Sequence, residues 1–131
     1  MQNTKLLIVE DDPIFLSALV WQLTKMDYDR MNIVSGASIA ECREIAVEFS
    51  PEVILLDLNI TDSHGIDTYH SINSIFQHAA VIILSGMNDE ELALQIVKLG
   101  AQDYLLKSDV SSKILSKTIE YGKERKNLLA K

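Results

Sequence analysis

Val53-Ile54-Leu55-Leu56-Asp57 is the stretch that decides the fold, because four branched apolar residues in succession are stopped there by a carboxylate. An apolar run of this length without polar alternation is typical of a strand buried on both faces, as in parallel sheets. Four further runs predict the other strands of the same sheet: Lys5-Leu6-Leu7-Ile8-Val9, Met31-Asn32-Ile33-Val34, Ala80-Val81-Ile82-Ile83-Leu84 and Asp103-Tyr104-Leu105-Leu106.

The segments between these runs are longer and amphipathic. In the first of them, Pro13 suits the opening turn of a helix, and apolar residues recur at helical spacing to about Lys25. Further helices are predicted after an N-cap at Ser38, from Gly65, over residues 88–98 and from about Ser111. Strands that alternate with helices form βαβ units. The sequence therefore predicts an α/β fold with a mostly parallel, doubly wound five-stranded sheet and five helices.

Composition places the chain among single-domain globular proteins. It has 131 residues, of which 47% are hydrophobic and 24% charged. Cys42 is the only cysteine, so an internal disulfide is excluded. No apolar run approaches the roughly 18 to 20 residues that cross a bilayer, so we expect no membrane insertion and a cytoplasmic setting.

Charge is distributed unevenly along the chain, whose net charge is −7. Residues 1–106 carry 5 Lys and Arg against 16 Asp and Glu, a net of −11, whereas residues 107–131 carry 7 against 3, a net of +4. An acidic body repels phosphate backbones. We therefore expect no direct binding to nucleic acid.

Chemically active side chains follow four of the five predicted strands. Glu10 and Asp11 follow the first strand, Asp57 the third, Ser85 the fourth and Lys107 the fifth. Ligands of open parallel sheets bind beyond the carboxyl ends of the strands, so these groups are expected to meet there. Clustered carboxylates repel one another unless a cation lies between them, and an all-oxygen set favours Mg²⁺. The pattern predicts Mg²⁺-assisted phosphoryl chemistry with Asp57 as the nucleophile.

Four motifs in this order resemble the receiver domain of two-component response regulators, which has the fold of the chemotaxis regulators. They are Leu7-Ile8-Val9-Glu10-Asp11-Asp12-Pro13, Val53-Ile54-Leu55-Leu56-Asp57-Leu58, Leu84-Ser85-Gly86 and Gly100-Ala101-Gln102-Asp103-Tyr104-Leu105-Leu106-Lys107. The resemblance covers residues 5 to roughly 122. It implies a flavodoxin-like sheet of order 2-1-3-4-5, a receiver domain over residues 1–122, and a C-terminal helical extension over residues 123–131.

The resemblance implies that the domain is a regulatory switch that catalyses only its own phosphorylation and dephosphorylation. Asp57 matches the residue that accepts a phosphoryl group from a histidine kinase or a histidine phosphotransfer protein. Asp11, Asp57 and the backbone carbonyl of Asn59 would hold Mg²⁺ directly, and Glu10 would act through water.

The remaining matches concern signal transmission. Ser85 would bond the phosphoryl group, Lys107 would pair with the acceptor, and Tyr104 would be the aromatic switch residue. The signal would reach the face formed by the fourth helix, the fifth strand and the fifth helix, where a second copy could dimerise. The extension would lead to an output domain absent from this chain, or would be the surface helix of a stand-alone regulator.

Two positions depart from the family pattern. Ser108 follows Lys107 where the family usually has proline, so we expect a trans bond there. Thr61 replaces the proline of the loop after Asp57, so that loop is expected to be more mobile. In the last helix, Leu115, Ile119 and Tyr121 are expected to pack on the sheet.

Three other functions compete with this one. A haloacid-dehalogenase-type phosphatase needs a second acid two residues after its nucleophile, where this chain has Asn59. A flavodoxin-like flavin binder needs a Ser/Thr/Gly-rich phosphate loop after the first strand, where this chain has Glu10-Asp11-Asp12. A receiver-like domain that works without phosphorylation would not need the acidic residues and the lysine.

Overall fold

The computed structural model describes residues 3–130. The expected ends of the domain and of its extension, residues 1 and 131, lie outside that range. Its main sheet contains five strands: β1 (Leu6–Val9), β2 (Ile33–Gly36), β3 (Val53–Asp57), β4 (Ala80–Ser85) and β5 (Asp103–Leu106). Every neighbouring pair is parallel, and the order is β2-β1-β3-β4-β5. The predicted fold class and strand order are confirmed.

Five helices cover the two faces of the sheet: α1 (Pro13–Lys25), α2 (Ile39–Ile45), α3 (Ile66–Ile75), α4 (Glu90–Leu99) and α5 (Ser112–Ala130). Alternate strand residues supply the two cores. Leu7 and Ile54 belong to the core beneath α2, α3 and α4, whereas Leu6 and Leu55 belong to the core beneath α1 and α5. Burial on both faces is the reason that the strands read as unbroken apolar runs. Among residues 3–130, no helix combines the length and the apolar character that crossing a bilayer requires.

The passage from β1 to α1 positions the first part of the site. Asp12 is the N-cap of α1, and its Oδ1 accepts the N–H of Ile14 at 3.0 Å. Pro13 occupies the first helical position, where no N–H is needed. Because Asp12 serves the helix, Glu10 and Asp11 are the acids left at the carboxyl edge of the sheet.

The structure adds three local details, the last of which contradicts an expectation from the sequence. α2 ends at Ile45, and residues 46–48 form turns before Pro51, whose preceding residue disfavours the helical region. Residues 58–64 contain a small antiparallel hairpin that pairs Asn59–Ile60 with Ser63–His64. Tyr121 is 58% exposed, so its predicted packing on the sheet is wrong. It lies two residues from the buried Ile119, which places it about 200° away around the helix.

The expectation for the bond after Lys107 is confirmed, because the described residues contain no cis peptide bond. Lys107 opens a 3₁₀ turn, Lys107–Asp109, between β5 and α5.

Candidate functional site

Three carboxylates converge at the carboxyl edge of the sheet. Glu10 follows β1 directly and Asp57 ends β3, and these strands are neighbours in which Val9 pairs with Leu56. One carboxylate oxygen each of Glu10, Asp11 and Asp57 lies within 4.8 Å of the others. Glu10 is 2% exposed and Asp57 8%, whereas Asp11 is open to solvent. The site is therefore an acidic cluster with two buried members and one that is open to solvent.

Glu10 is held in place from both sides. Its Oε2 accepts the backbone N–H groups of Asp11 at 3.1 Å and Asp12 at 3.3 Å, and its Oε1 accepts Lys107 Nζ at 2.7 Å. Burial, followed by the adjoining Asp57 carboxylate, raises the pKa of Glu10 to about 7, although Lys107 acts in the opposite direction. The single positive charge of Lys107 therefore does not balance the negative charge of the carboxylate cluster.

Lys107 bridges the two buried carboxylates. Its Nζ donates to Glu10 Oε1 at 2.7 Å and to Asp57 Oδ2 at 3.0 Å, and it lies 4.7 Å from the centre of the Phe15 ring. Burial is the strongest single influence on the pKa of Lys107 and lowers it, but the two carboxylates together outweigh burial and raise it. Lys107 therefore stays charged and tightly paired.

Both oxygens of Asp57 have a defined partner. Oδ2 accepts from Lys107, and Oδ1 accepts the backbone N–H of Asn59 at 3.0 Å. The carboxylate is thus fixed in orientation by a side chain from β5 and by the backbone of its own downstream loop. Such fixed geometry favours transfer chemistry at a carboxylate, because little reorganisation is needed.

The loop after Asp57 is held by contacts that the sequence pattern did not predict. The carbonyl of Leu58 accepts the N–H of Gly65 and the hydroxyl of the buried Thr68, each at 2.8 Å. Thr68 Oγ1 in turn lies 2.7 Å from Ser63 Oγ. At the tip, Asp62 bonds the first turn of α2. The sequence shows only that hydroxyl and carboxylate residues lie in and near this loop. It does not show which distant groups they bond.

Ser85 and Tyr104 are not members of the acidic cluster, and each makes its side-chain hydrogen bond elsewhere. Ser85 ends β4, is buried, and donates its hydroxyl to the carbonyl of Gly86 at 3.0 Å. Tyr104 lies on β5, packs partly on the core beneath α4, and donates its hydroxyl to Glu90 Oε1 at 3.4 Å. The structure thus brings together Glu10, Asp11, Asp57 and Lys107, and sets the two expected switch residues on the two adjoining strands.

The donor set fits Mg²⁺. Its oxygen ligands lie about 2.0–2.1 Å from the ion and hence about 3–4 Å from one another. The carboxylate oxygens of Glu10, Asp11 and Asp57 cluster within 4.8 Å, which suits two direct ligands and a third through water. A divalent cation here would also oppose the effect of burial on the Glu10 pKa.

Comparison with known proteins gives one consistent result. The sequence model of the response regulator receiver domain matches residues 6–119. The transcriptional regulatory protein KdpE of Mycobacterium tuberculosis is 34% identical over 104 residues, which are 79% of this chain and 44% of KdpE. The acid tolerance regulatory protein ActR of Rhizobium meliloti is 32% identical over 123 residues, which are 94% of this chain and 62% of ActR.

Solved structures agree with the sequence relatives. A response regulator receiver domain protein from Clostridium thermocellum superposes with a TM-score of 0.81 at 30% identity. The match covers 96% of this chain and 98% of that one. By contrast, the chain spans less than two thirds of the length of KdpE and of ActR.

Proposed function

The chain belongs to the response regulator receiver family, and from this premise we propose that it is a phosphorylation-activated signalling switch with Asp57 as the acceptor. The observation that carries the proposal is the position of the Asp57 carboxylate, beside Glu10 and Asp11 and bonded to Lys107 at 3.0 Å. The phosphatase and flavin-binding alternatives belong to other families. A receiver that works without phosphorylation is distinguished by the experiment below.

The proposed transfer takes place at one oxygen of Asp57. That oxygen attacks the phosphorus of a phosphohistidine and the P–N bond breaks as the P–O bond forms. The imidazole, which carries a proton on its other nitrogen, leaves as the neutral ring. Lys107 Nζ, already 3.0 Å from Oδ2, would neutralise charge on the transferred group. Asp11, Asp57 and the carbonyl of Asn59 would hold Mg²⁺ directly and Glu10 would act through water. Bound Mg²⁺ would supply further charge neutralisation on the phosphoryl oxygens.

The signal is proposed to leave the site through the two neighbouring strands. Ser85 would exchange its bond to the Gly86 carbonyl for one to a phosphoryl oxygen, and Tyr104 would then move inward. The change would alter the face formed by α4, β5 and α5, where dimerisation is proposed. Such a shift requires that the phosphoryl group favour one of two packings.

The partners follow from the family. Response regulators work with histidine kinases and can carry output domains, and the donor proposed for this chain is a histidine kinase or a histidine phosphotransfer protein. α5 continues without a break from Ser112 to Ala130, which supports a helical connector beyond residue 122. A cytoplasmic setting is part of the same proposal and rests on the family alone.

Phosphorylation by a small donor tests the proposal. We expect incubation with Mg²⁺ and acetyl phosphate to add one phosphoryl group, about 80 Da by intact mass spectrometry. Asp57→Asn should not gain this mass, whereas Asp67→Asn, at an exposed position in the first turn of α3, should label as the wild type does. Labelling of Asp57→Asn, or absence of labelling in the wild type, would overturn the assignment.

A further inference from the structure

The tip of the hairpin after Asp57 is bound to a different part of the fold. Asp62 Oδ1 accepts the backbone N–H of Ile39 at 2.8 Å, and Oδ2 accepts that of Ala40 at 3.2 Å. Both donors lie in the first turn of α2, more than twenty residues earlier in the chain. A carboxylate at a helix N-terminus is stabilised by unpaired N–H groups and by the helix dipole. Asp62 therefore links the hairpin to the start of α2.

α2 does not need Asp62 to begin. Ser38 is its N-cap, and Ser38 Oγ accepts the N–H of Glu41 at 3.1 Å. Glu41 in turn accepts the N–H of Ala37 at 3.1 Å. Because local residues already cap the helix, the bonds from Asp62 chiefly restrain the hairpin.

The hairpin restrained in this way touches the acceptor. Its base is fixed where Gly65 and Thr68 bond the Leu58 carbonyl, and its tip is fixed by Asp62. Asn59 lies between these two anchors and donates its N–H to Asp57 Oδ1 at 3.0 Å. A displacement of the tip would therefore be transmitted to the carboxylate and to the Asn59 carbonyl.

Thr61 makes the anchor at the tip more important. Proline at this position would fix one backbone angle by its ring, and threonine imposes no such restriction. The position of the tip then depends on contacts, and Asp62 supplies two charge-assisted bonds there. The expectation that Thr61 leaves the loop more mobile takes no account of this tether.

We propose that Asp62 is a positioning residue, which holds the 59–64 hairpin against α2 and so keeps Asn59 and Asp57 in the arrangement that binds Mg²⁺. This inference rests on the proposed function, because it takes the Asn59 carbonyl and the Asp57 carboxylate as ligands. Asp62 itself is not among the residues proposed to bind Mg²⁺ or the phosphoryl group.

Calorimetric titration with Mg²⁺, in the absence of any phosphodonor, tests the inference. Loss of a residue that orients metal ligands typically weakens binding about tenfold or more. Because Asp62 acts through the hairpin, we expect Asp62→Ala to raise the Mg²⁺ dissociation constant by about three- to tenfold. Asp62→Asn keeps an oxygen that can accept the Ile39 N–H, so it should recover part of the loss.

Asp67→Ala is the matched control. It removes a carboxylate of the same size from the same region, and no hydrogen bond within the described residues involves that side chain. It should change the dissociation constant by less than about twofold, since exposed charges are screened by salt. Backbone hydrogen exchange gives a readout independent of the metal, and the amides of Ile39, Ala40 and Asn59 should exchange faster in Asp62→Ala only.

The outcomes separate this inference from the proposed function. If Asp62→Ala binds Mg²⁺ no more weakly than Asp67→Ala, the positioning role is wrong, even where the wild type is phosphorylated and Asp57→Asn is not. Unchanged exchange at Asn59 would contradict it as well. If Asp57→Asn is phosphorylated like the wild type, the proposed function itself fails.

Discussion

The two edges of the sheet each hold a lysine among polar side chains from distant parts of the chain. At the carboxyl edge, Lys107 bonds Glu10 and Asp57. At the amino edge, Lys123 of α5 donates to the hydroxyl of Thr4 at 2.8 Å and lies 3.3 Å from Glu120 Oε1. The same type of residue thus forms two polar clusters, one at each edge of the sheet.

The clusters differ in their balance of charge. At the amino edge, one ammonium faces one carboxylate, and the other carboxylate oxygen, Glu120 Oε2, accepts the hydroxyl of the buried Tyr28 at 2.6 Å. At the carboxyl edge, one ammonium faces three carboxylates, two of them buried. Buried charge that lacks compensation is costly. The charges at the amino edge therefore balance, whereas the excess negative charge at the carboxyl edge favours the binding of a further cation.

The titration properties of the clusters agree with this difference. Burial, and then the bond to Glu120, raises the pKa of Tyr28 above its usual range, so that it remains a hydroxyl donor. Burial with Asp57 alongside raises the pKa of Glu10 to about 7. Both shifts favour the protonated group. For Tyr28 this is the form that donates the hydrogen bond, whereas for Glu10 it results first from burial and then from the neighbouring Asp57 carboxylate.

Exchange of each lysine for alanine should give the largest contrast between the edges. Lys107→Ala removes the group expected to neutralise the transferred phosphoryl oxygens, and loss of one such donor typically slows a reaction about 10²- to 10³-fold. Lys123 lies at the amino edge, so Lys123→Ala should be phosphorylated at a rate within about twofold of the wild-type rate. The measurement is the initial rate of mass gain with acetyl phosphate at saturating Mg²⁺. Equal rates for the two variants would show that Lys107 is only structural.

Magnesium should stabilise the fold through one edge only. At about 100 times the dissociation constant, a ligand adds about 2.7 kcal/mol to the free energy of unfolding. Asp11→Asn should lose most of this gain, whereas Glu120→Gln should keep it. Without Mg²⁺, Asp11→Asn should be the more stable of the two variants. Asp11→Asn relieves repulsion between carboxylates, whereas Glu120→Gln removes a charged partner from Tyr28 and Lys123.

Urea unfolding with excess chelator and with excess Mg²⁺ measures both halves of this prediction. A full Mg²⁺ effect in Asp11→Asn would remove that residue from the ion site. A reduced Mg²⁺ effect in Glu120→Gln would show that the two edges are coupled, and the comparison would then fail.

The residues of the carboxyl edge could be predicted from the sequence for a specific reason. Each of them ends a strand of the parallel sheet or directly follows one, so the topology alone brings Glu10, Asp57 and Lys107 to one edge. Parallel pairing of the strands follows from the alternation of strands and helices along the chain. Sequence and structure agree here because position along a strand determines position in space.

The amino-edge cluster and the hairpin tether could not be predicted in this way. Tyr28 and Glu120 lie 92 residues apart in a loop and on a helix, and Asp62 finds its partners 22 and 23 residues away. None of these residues is marked by the end of an apolar run. Their pairing depends on how helices and loops pack on the finished sheet, and a sequence pattern does not encode that packing locally.

Replacement of Tyr28 by phenylalanine should give the smallest effect, and should confine it to stability. The change removes the 2.6 Å bond to Glu120 and leaves the ring in the core. Hydrogen bonds to charged groups contribute about 1.5–3 kcal/mol, but Glu120 is partly exposed and keeps Lys123, so we expect a loss of about 1 kcal/mol in urea unfolding. The rate of phosphorylation and the Mg²⁺ effect should not change.

Tyr69→Phe is the matched control for that small effect. Tyr69 is equally buried in the opposite core, and its hydroxyl makes no hydrogen bond to another described residue. It should therefore lose less than about 0.5 kcal/mol. Equal losses in the two variants would mean that the Tyr28 hydroxyl contributes nothing beyond its ring. Slower phosphorylation of Tyr28→Phe would contradict the comparison more strongly. It would show that a change at the amino edge affects the reaction at Asp57.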